Sequence, residues 1–227
     1  EQYTIDLMGR LGYQYVYAPD IAPDGNAPER ESYSQVLLLG RLRKAIKRIN
    51  DHLSHDIQEQ ALKEIQRIAS PDLVANNKAF HKYLTEGVPV SKNVEGYERG
   101  DRLWLIDFEN PDNNDFLLVS QLWVTGDIYT RRPDLVGFVN GLPLVVFELK
   151  AVHKRLEDAY SGNIRDYKTS IPQLFWYNAS IIVSHGADSR IGTITSSWEH
   201  CSEWKKVDSE DEQGITSLET IIRGTCG

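Results

Sequence analysis

The residues best suited to chemistry lie between Arg131 and Lys150, in the stretch RRPDLVGFVNGLPLVVFELK. Asp134 opens one apolar run, Glu148 and Lys150 close a second, and Asn140-Gly141 stands between them. Asn and Gly both tolerate positive φ, so this dipeptide predicts a two-residue hairpin turn. In the second run Val145, Phe147 and Leu149 share one strand face, and Leu144, Val146, Glu148 and Lys150 share the other. Glu148 and Lys150 therefore point the same way at the end of a buried strand. A tight turn returns Asp134 to that end. Two hard carboxylates can hold Mg2+ while leaving coordination positions for water and a phosphate oxygen. An adjacent ammonium can orient or deprotonate an attacking water and offset charge in a phosphoryl transition state. The chemistry within reach is hydrolysis of a phosphodiester. The plain alternative is an Asp in a turn and a Glu-Lys pair where a strand leaves the core. The setting favours the chemical reading, because the residues follow Arg131-Arg132-Pro133, sit on a hairpin and end a strand.

Several elements must position these groups. Residues 1–11 predict a helix ended by Gly12, and Tyr13 to Tyr17 a strand. Helices are expected over Tyr33 to Asn50, with Leu38, Leu42, Ala45 and Ile49 at helical spacing. Further helices are expected over Asp56 to Ala69, capped by Ser54 or Asp56, and from Pro71 to about Glu86. From Gly87 the period changes, and Val88 to Val94, Leu103 to Phe108 and Phe116 to Thr125 read as strands. Trp104 and Trp123 are expected to pack the sheet. After Lys150 come a helix over Leu156 to Lys168, an apolar strand over Ala179 to Ser184, and an acidic turn over Asp208 to Gly214.

Other residue groups weigh less. Arg41, Arg43, Lys44, Lys47 and Arg48 form the densest basic cluster, but they spread around a helix, as a solvated face would. Asp107 fits a turn better than a metal site. His52, His55 and His81 lack metal-ligand spacing, as do Cys201 and Cys226, and a reduced cytoplasmic protein follows. Ser184-His185 lacks the G-x-S-x-G elbow, which excludes a serine hydrolase of that type. The net charge of −8 argues against a free-standing tight DNA binder. No G-x-x-x-x-G-K-[ST] phosphate loop occurs.

Pro133-Asp134 with Glu148-Leu149-Lys150 resembles the PD-(D/E)xK nuclease motif. The surrounding stretch, together with LIDFENPDNNDF, VSQLWV, IPQLFWYN and IIVSHG, is similar to the N-terminal nuclease domain of the motor (R) subunit of type I restriction-modification enzymes. The resemblance covers most of the chain. It implies an α/β (α+β) fold, a restriction-endonuclease-like mixed central sheet flanked by helices. It also implies one domain over residues 1–227, a helical insertion at about 30–86, and the start of a linker to a motor domain at about 205–227. The implied activity is Mg2+-dependent cleavage of double-stranded DNA, with Mn2+ able to substitute. ATP would act only through the motor part, and the methyltransferase (M) and specificity (S) subunits would be partners. Asp134 and Glu148 would hold the metal, the Leu149 carbonyl could add a ligand, and Lys150 would position water. Glu1 corresponds to a first-helix acid that can reach the metal in such nucleases; an exposed terminal Glu is the alternative. The family's Q-x-x-x-Y pattern falls on Asn163 and Tyr167, with Asn replacing Gln. Gln173 and Tyr177 match the spacing but lie in a strand-entry segment. Gln121, Arg131 and Arg132 complete the candidates for supporting the site or contacting DNA. The alternatives are a non-catalytic nuclease-like docking module and a different repair nuclease of the same superfamily.

Overall fold

The two apolar runs of the hairpin, Leu135–Val139 and Leu142–Leu149, become the middle strands of a mixed six-stranded sheet in a computed structural model of the chain. The structure describes residues 1–67, 70–186, 188–204 and 217–227. In chain order the elements are α1 (Gln2–Arg10), β1 (Gln14–Tyr17), α2 (Leu39–Ile49), α3 (His55–Gln66), α4 (Leu73–Glu86), β2 (Val88–Val94) and β3 (Tyr97–Leu103). There follow β4 (Phe116–Ser120), β5 (Val124–Thr125), β6 (Thr130–Arg131), β7 (Leu135–Val139) and β8 (Leu142–Leu149). The chain continues through α5 (Leu156–Asp158), a π-helical segment (Ala159–Ile164), α6 (Arg165–Ser170), β9 (Ser180–Ser184), β10 (Ser189–Gly192) and α7 (Ser217–Cys226).

The large sheet is ordered β1-β4-β7-β8-β9-β10. β1 runs parallel to β4 and β8 parallel to β9, while the other neighbours are antiparallel. This is the mixed central sheet flanked by helices that the resemblance implies. The near-continuous apolar character of β7 and β8 follows from their place, since strands covered on both faces need no polar alternation. Asn140 and Gly141 take φ of 53° and 82°, as a two-residue turn between twisted strands requires. The register shifts between Gly137 and Phe138, leaving Leu144 as an extra residue on β8. Strict alternation of faces therefore holds only from Val145 onward, toward the chemical end.

Several expected elements move. The helix read from Tyr33 begins at Leu39, and Leu38 instead accepts the first turn's hydrogen bonds from Arg41 and Leu42. Its buried stripe is Leu42, Ala45 and Ile46. Ser54 precedes α3 without a side-chain cap bond, whereas Asp72 caps α4 through Ala75 N–H at 2.7 Å. The strand expected over Leu103 to Phe108 lies earlier, at Tyr97–Leu103, paired with β2. Glu95-Gly96, both at positive φ, supply its turn. The strand expected over Phe116 to Thr125 breaks at Gln121, whose φ is 57°, and resumes in a separate β5–β6 ribbon. Trp104 and Trp123 are 38% and 41% exposed and do not fill the core as expected. The acidic turn over Asp208 to Gly214 lies outside the described residues, as does Ile68. Residues 217–226, expected to open a linker, form α7, which buries Leu218, Ile221 and Ile222. Their i, i+3, i+4 spacing gives the helix one apolar stripe, and that stripe joins the common core.

Candidate active site

The carboxyl end of β8 and the start of β7 meet at one end of the central strands. Leu135 pairs with Phe147, so Asp134 stands directly across from Glu148. The Leu149 N–H donates to Asp134 Oδ2 at 2.7 Å, tying the two strands together beyond their last pair. Lys150 reaches back to Glu148 Oε1 with its Nζ at 2.6 Å, and its own N–H donates to Ser184 O on β9 at 2.8 Å. The sequence-derived trio therefore converges. Burial reaches to the end of the strand: Glu148 is 1% exposed. The helical run after Lys150 folds back over the end of β8 and covers it.

That run carries Asn163 in its π-helical segment, and Asn163 Nδ2 donates to Glu148 Oε1. One inserted residue in a helix re-aims the side chains around it, which is why π segments recur where a helix must present a group to a site. Tyr167, buried on α6, faces the same carboxylates. Burial first, and then the charges of Glu148 and Asp134, hold its phenol protonated far above the ordinary value. The decoy pair is elsewhere: Gln173 Nε2 donates to Thr125 O at 2.8 Å, and the Tyr177 ring stacks edge-on with Phe80.

Glu1 and Gln121 meet at the margin. Gln121 Nε2 lies 3.2 and 3.3 Å from the two Glu1 carboxylate oxygens, and its N–H donates to Asp134 O at 2.9 Å. Among the described residues no group of three or more His, Cys, Asp or Glu is placed to hold a metal ion. Glu1 therefore does not join Asp134 and Glu148 in such a group. Of the two arginines before Asp134, Arg131 is committed to an ion pair with Asp166. Arg132 is exposed, lies over the Trp123 ring at 5.2 Å, and has no carboxylate partner among the described residues.

The electrostatics are unbalanced. Two facing carboxylates share one ammonium. Burial, then the Glu148 charge, push the Asp134 carboxyl up from 3.8 to about 6. Glu148 Oε2 is buried with no hydrogen-bond partner. A buried acceptor is normally satisfied, and a bare carboxylate oxygen is the most expensive kind to leave alone. Oxygen donors, a negative excess and an unsatisfied acceptor together fit a hard divalent cation, which Asp134 and Glu148 would hold.

The remaining candidates resolve into structure. Asp107 accepts from Asn110 N–H and Asn113 Nδ2, a closed turn. Arg41 pairs with Glu29 and Asp115, and Arg43 with Glu59, so much of the basic helix face is neutralised internally. Ser184 Oγ accepts from Gly186 N–H and Ser189 Oγ, stapling a loop. The β5–β6 ribbon escaped the residue pattern, although Gly126-Asp127 between two short β-formers is a turn signal of its own.

A mixed α/β domain whose central hairpin ends in paired carboxylates and a lysine is the class that fold and site define. The family model described as type I restriction enzyme R protein N terminus matches residues 1–200, and the chain belongs to that family. It is 34% identical over 231 residues to the type I restriction enzyme HindI endonuclease subunit of Haemophilus influenzae, covering 99% of this chain and 22% of that protein. It is also 34% identical over 229 residues to a Methanocaldococcus jannaschii protein named for the endonuclease subunit of the type I enzyme MjaIXP, covering 96% of this chain and 21% of that protein. The chain thus spans about a fifth of the length of these relatives. Among the described residues no helix is long and apolar enough to cross a membrane.

Proposed function

We propose that this chain is the endonuclease region of a type I restriction enzyme R subunit, hydrolysing phosphodiesters of double-stranded DNA with Mg2+, for which Mn2+ substitutes. The observation that carries the reading is the buried Glu148, its Oε2 bare, directly across from an Asp134 whose carboxyl is pushed up to about 6. Asp134 and Glu148 would hold the ion, with the Leu149 carbonyl as a further ligand. When bound, the ion supplies Lewis-acid polarisation of the phosphate and a lowered pKa for a coordinated water.

The protein's own groups do the rest. Lys150 Nζ, already anchored on Glu148, orients the attacking water and faces the negative charge that grows on the phosphate. Asn163 fixes the Glu148 carboxylate through Oε1, which leaves the buried Oε2 available to the ion. Asn is one methylene shorter than the family's Gln, and the π segment brings its amide into reach. Tyr167 stays a neutral phenol and adds no charge to the crowded pair. Arg132, exposed and without a carboxylate partner among the described residues, is offered to the DNA backbone.

Domain layout belongs to the same proposal. Residues 1–227 form one nuclease domain with a helical insertion. ATP-driven translocation resides in a motor region elsewhere in the subunit, and target choice in the methyltransferase and specificity subunits, in the cytoplasm. The test is a paired assay on the full-length subunit with its partners. Asp134→Ala, Glu148→Ala and Lys150→Ala should each stop plasmid cutting while ATP hydrolysis persists. A folded Glu148→Ala protein that cuts at the wild-type rate would contradict the assignment.

A further inference from the structure

The β5–β6 ribbon runs straight into the site and carries exposed apolar groups at its tip. Val124 pairs with Arg131 and Thr125 with Thr130, and the intervening tip leaves Ile128 81% and Tyr129 54% exposed. The ribbon is fixed along its length. Gly126 N–H donates to Tyr129 O at 2.8 Å and closes the tip, Gln173 Nε2 holds Thr125 O, and Arg131 is paired with Asp166 on α6. A Cβ on Gly126 would lie 1.9 Å from Ser170 O, so the ribbon backbone rests directly on the end of α6. The ribbon is therefore mounted on the helical run that brings Asn163 and Tyr167 to Glu148.

Its exposed groups have a distinct character. Arg132 stacks on Trp123, and Arg131 on Tyr129 with its guanidinium 4.8 Å from the ring centre. Cations laid on aromatic rings, next to an aliphatic side chain in open solvent, match a partner with phosphates flanking apolar stacked faces. Arg131 is neutralised by Asp166, so the cation this patch offers a phosphate is Arg132, held on Trp123 beside the exposed Ile128 and Tyr129.

We propose that the ribbon is a DNA-contacting arm, in which Arg132 meets the phosphate backbone and Ile128 presses against a base step beside the scissile phosphate. The proposal rests on the reading of the hairpin as the cleavage site. The backbone from Ile128 to Asp134 spans at most about 20 Å at ~3.3 Å per residue. That places the contact within about six base pairs of the cut, at ~3.4 Å per pair. Apolar side chains inserted in this way partly unstack a base step and bend the duplex. Asp127, the acid at the tip, repels phosphate and keeps the tip over a groove.

The test is azidophenacyl crosslinking from Ile128→Cys in the full-length subunit assembled with its partners on plasmid DNA, with Asp134→Asn added to keep the DNA intact. Tyr97→Cys, 75% exposed beside the β2–β3 turn, is the control. Ile128→Cys should give DNA crosslinks at roughly tenfold the yield of the control. Equal yields, or crosslinks to protein only, would overturn the arm. Separately, Ile128→Asp should slow cutting by roughly tenfold with ATP hydrolysis unchanged, and Ile128→Leu should restore it. Wild-type cutting by Ile128→Asp would overturn it too. If Asp134→Asn still cuts, the cleavage site is misassigned whatever the ribbon does. If Asp134→Asn is inert and Ile128 makes no DNA contact, only the arm fails.

Discussion

The central hairpin has two ends of opposite character. At the turn, Asn140 is fully buried and every polar group of its side chain is used: Nδ2 donates to Leu105 O and Asn114 Oδ1, and Oδ1 accepts from Asp115 N–H. Gly141 O accepts from Leu38 N–H at 3.0 Å, which locks the turn against the start of α2. At the open end, two carboxylates face each other, one oxygen is buried and bare, and Asp134 resists ionisation. The same two strands join a satisfied end to a frustrated one. The turn end is arranged for folding. The open end holds a charge arrangement that a proton on Asp134 or a further cation would relax, and such local strain gathers where function requires it.

The comparison can be broken most sharply by losing activity without losing the fold. Lys150→Ala should lower plasmid cutting by roughly 10²-fold or more, since the group that orients water and opposes developing charge is gone. The protein should stay folded by circular dichroism with a lowered Tm, because Lys150 is the ammonium paired with the buried Glu148 carboxylate.

The turn end should behave in the reverse way. Asn140→Ala strands several buried groups and puts Ala at a φ of 53°, so it should destabilise by about 3 kcal/mol in urea unfolding. Gly141→Ala should do the same, because its Cβ would sit 2.5 Å from Leu38 O at a φ of 82°. The fraction that remains folded should still cut DNA normally.

A smaller effect concerns the open end without metal. Asp134 has its folded pKa raised from 3.8 to about 6, so the folded state binds the proton more tightly than the unfolded chain does. Ionisation of Asp134 thus destabilises the metal-free protein: the penalty is absent below pH 3.8, grows as pH rises to 6, and is complete above it. Asp134→Asn keeps an acceptor for Leu149 N–H and removes the charge. At pH 7 it should stabilise the metal-free protein by about 1–2 kcal/mol after allowance for solvent screening. The gain over wild type should shrink toward pH 4. A constant difference across that range would mean that the pair is not frustrated. The smallest expected change is Asn163→Ala, which frees the Glu148 carboxylate from one hydrogen bond and should slow cutting by roughly 3- to 30-fold.

Much of this contrast was legible in the residues. Asn140-Gly141 fixes the turn, apolar runs on both sides make central strands, and the parity from Val145 to Lys150 puts Glu148 and Lys150 together. The burial of Glu148 was not legible, because the cover comes from a helix that returns through a π-helical segment with no residue signature. Nor was the role of Asn140 as a buried hub, since its partners Leu105, Asn114 and Asp115 are distant in sequence. The ribbon was hidden by Gln121, a non-glycine residue in a left-handed conformation that splits one apparent strand in two. Trp123 looked like core for the same reason. Family resemblance supplied what local pattern could not, the pairing of Asn163 and Tyr167 with the hairpin.

The central claim is that Asp134 and Glu148 together hold a divalent ion. Its most direct test is a Mn2+ titration followed by electron paramagnetic resonance on wild-type, Asp134→Asn and Glu148→Gln full-length subunits without ATP. The account predicts a Mn2+ site in the wild type that each substitution weakens by roughly tenfold or more, with the fold intact by circular dichroism. Unchanged Mn2+ affinity in a folded Glu148→Gln protein would contradict it.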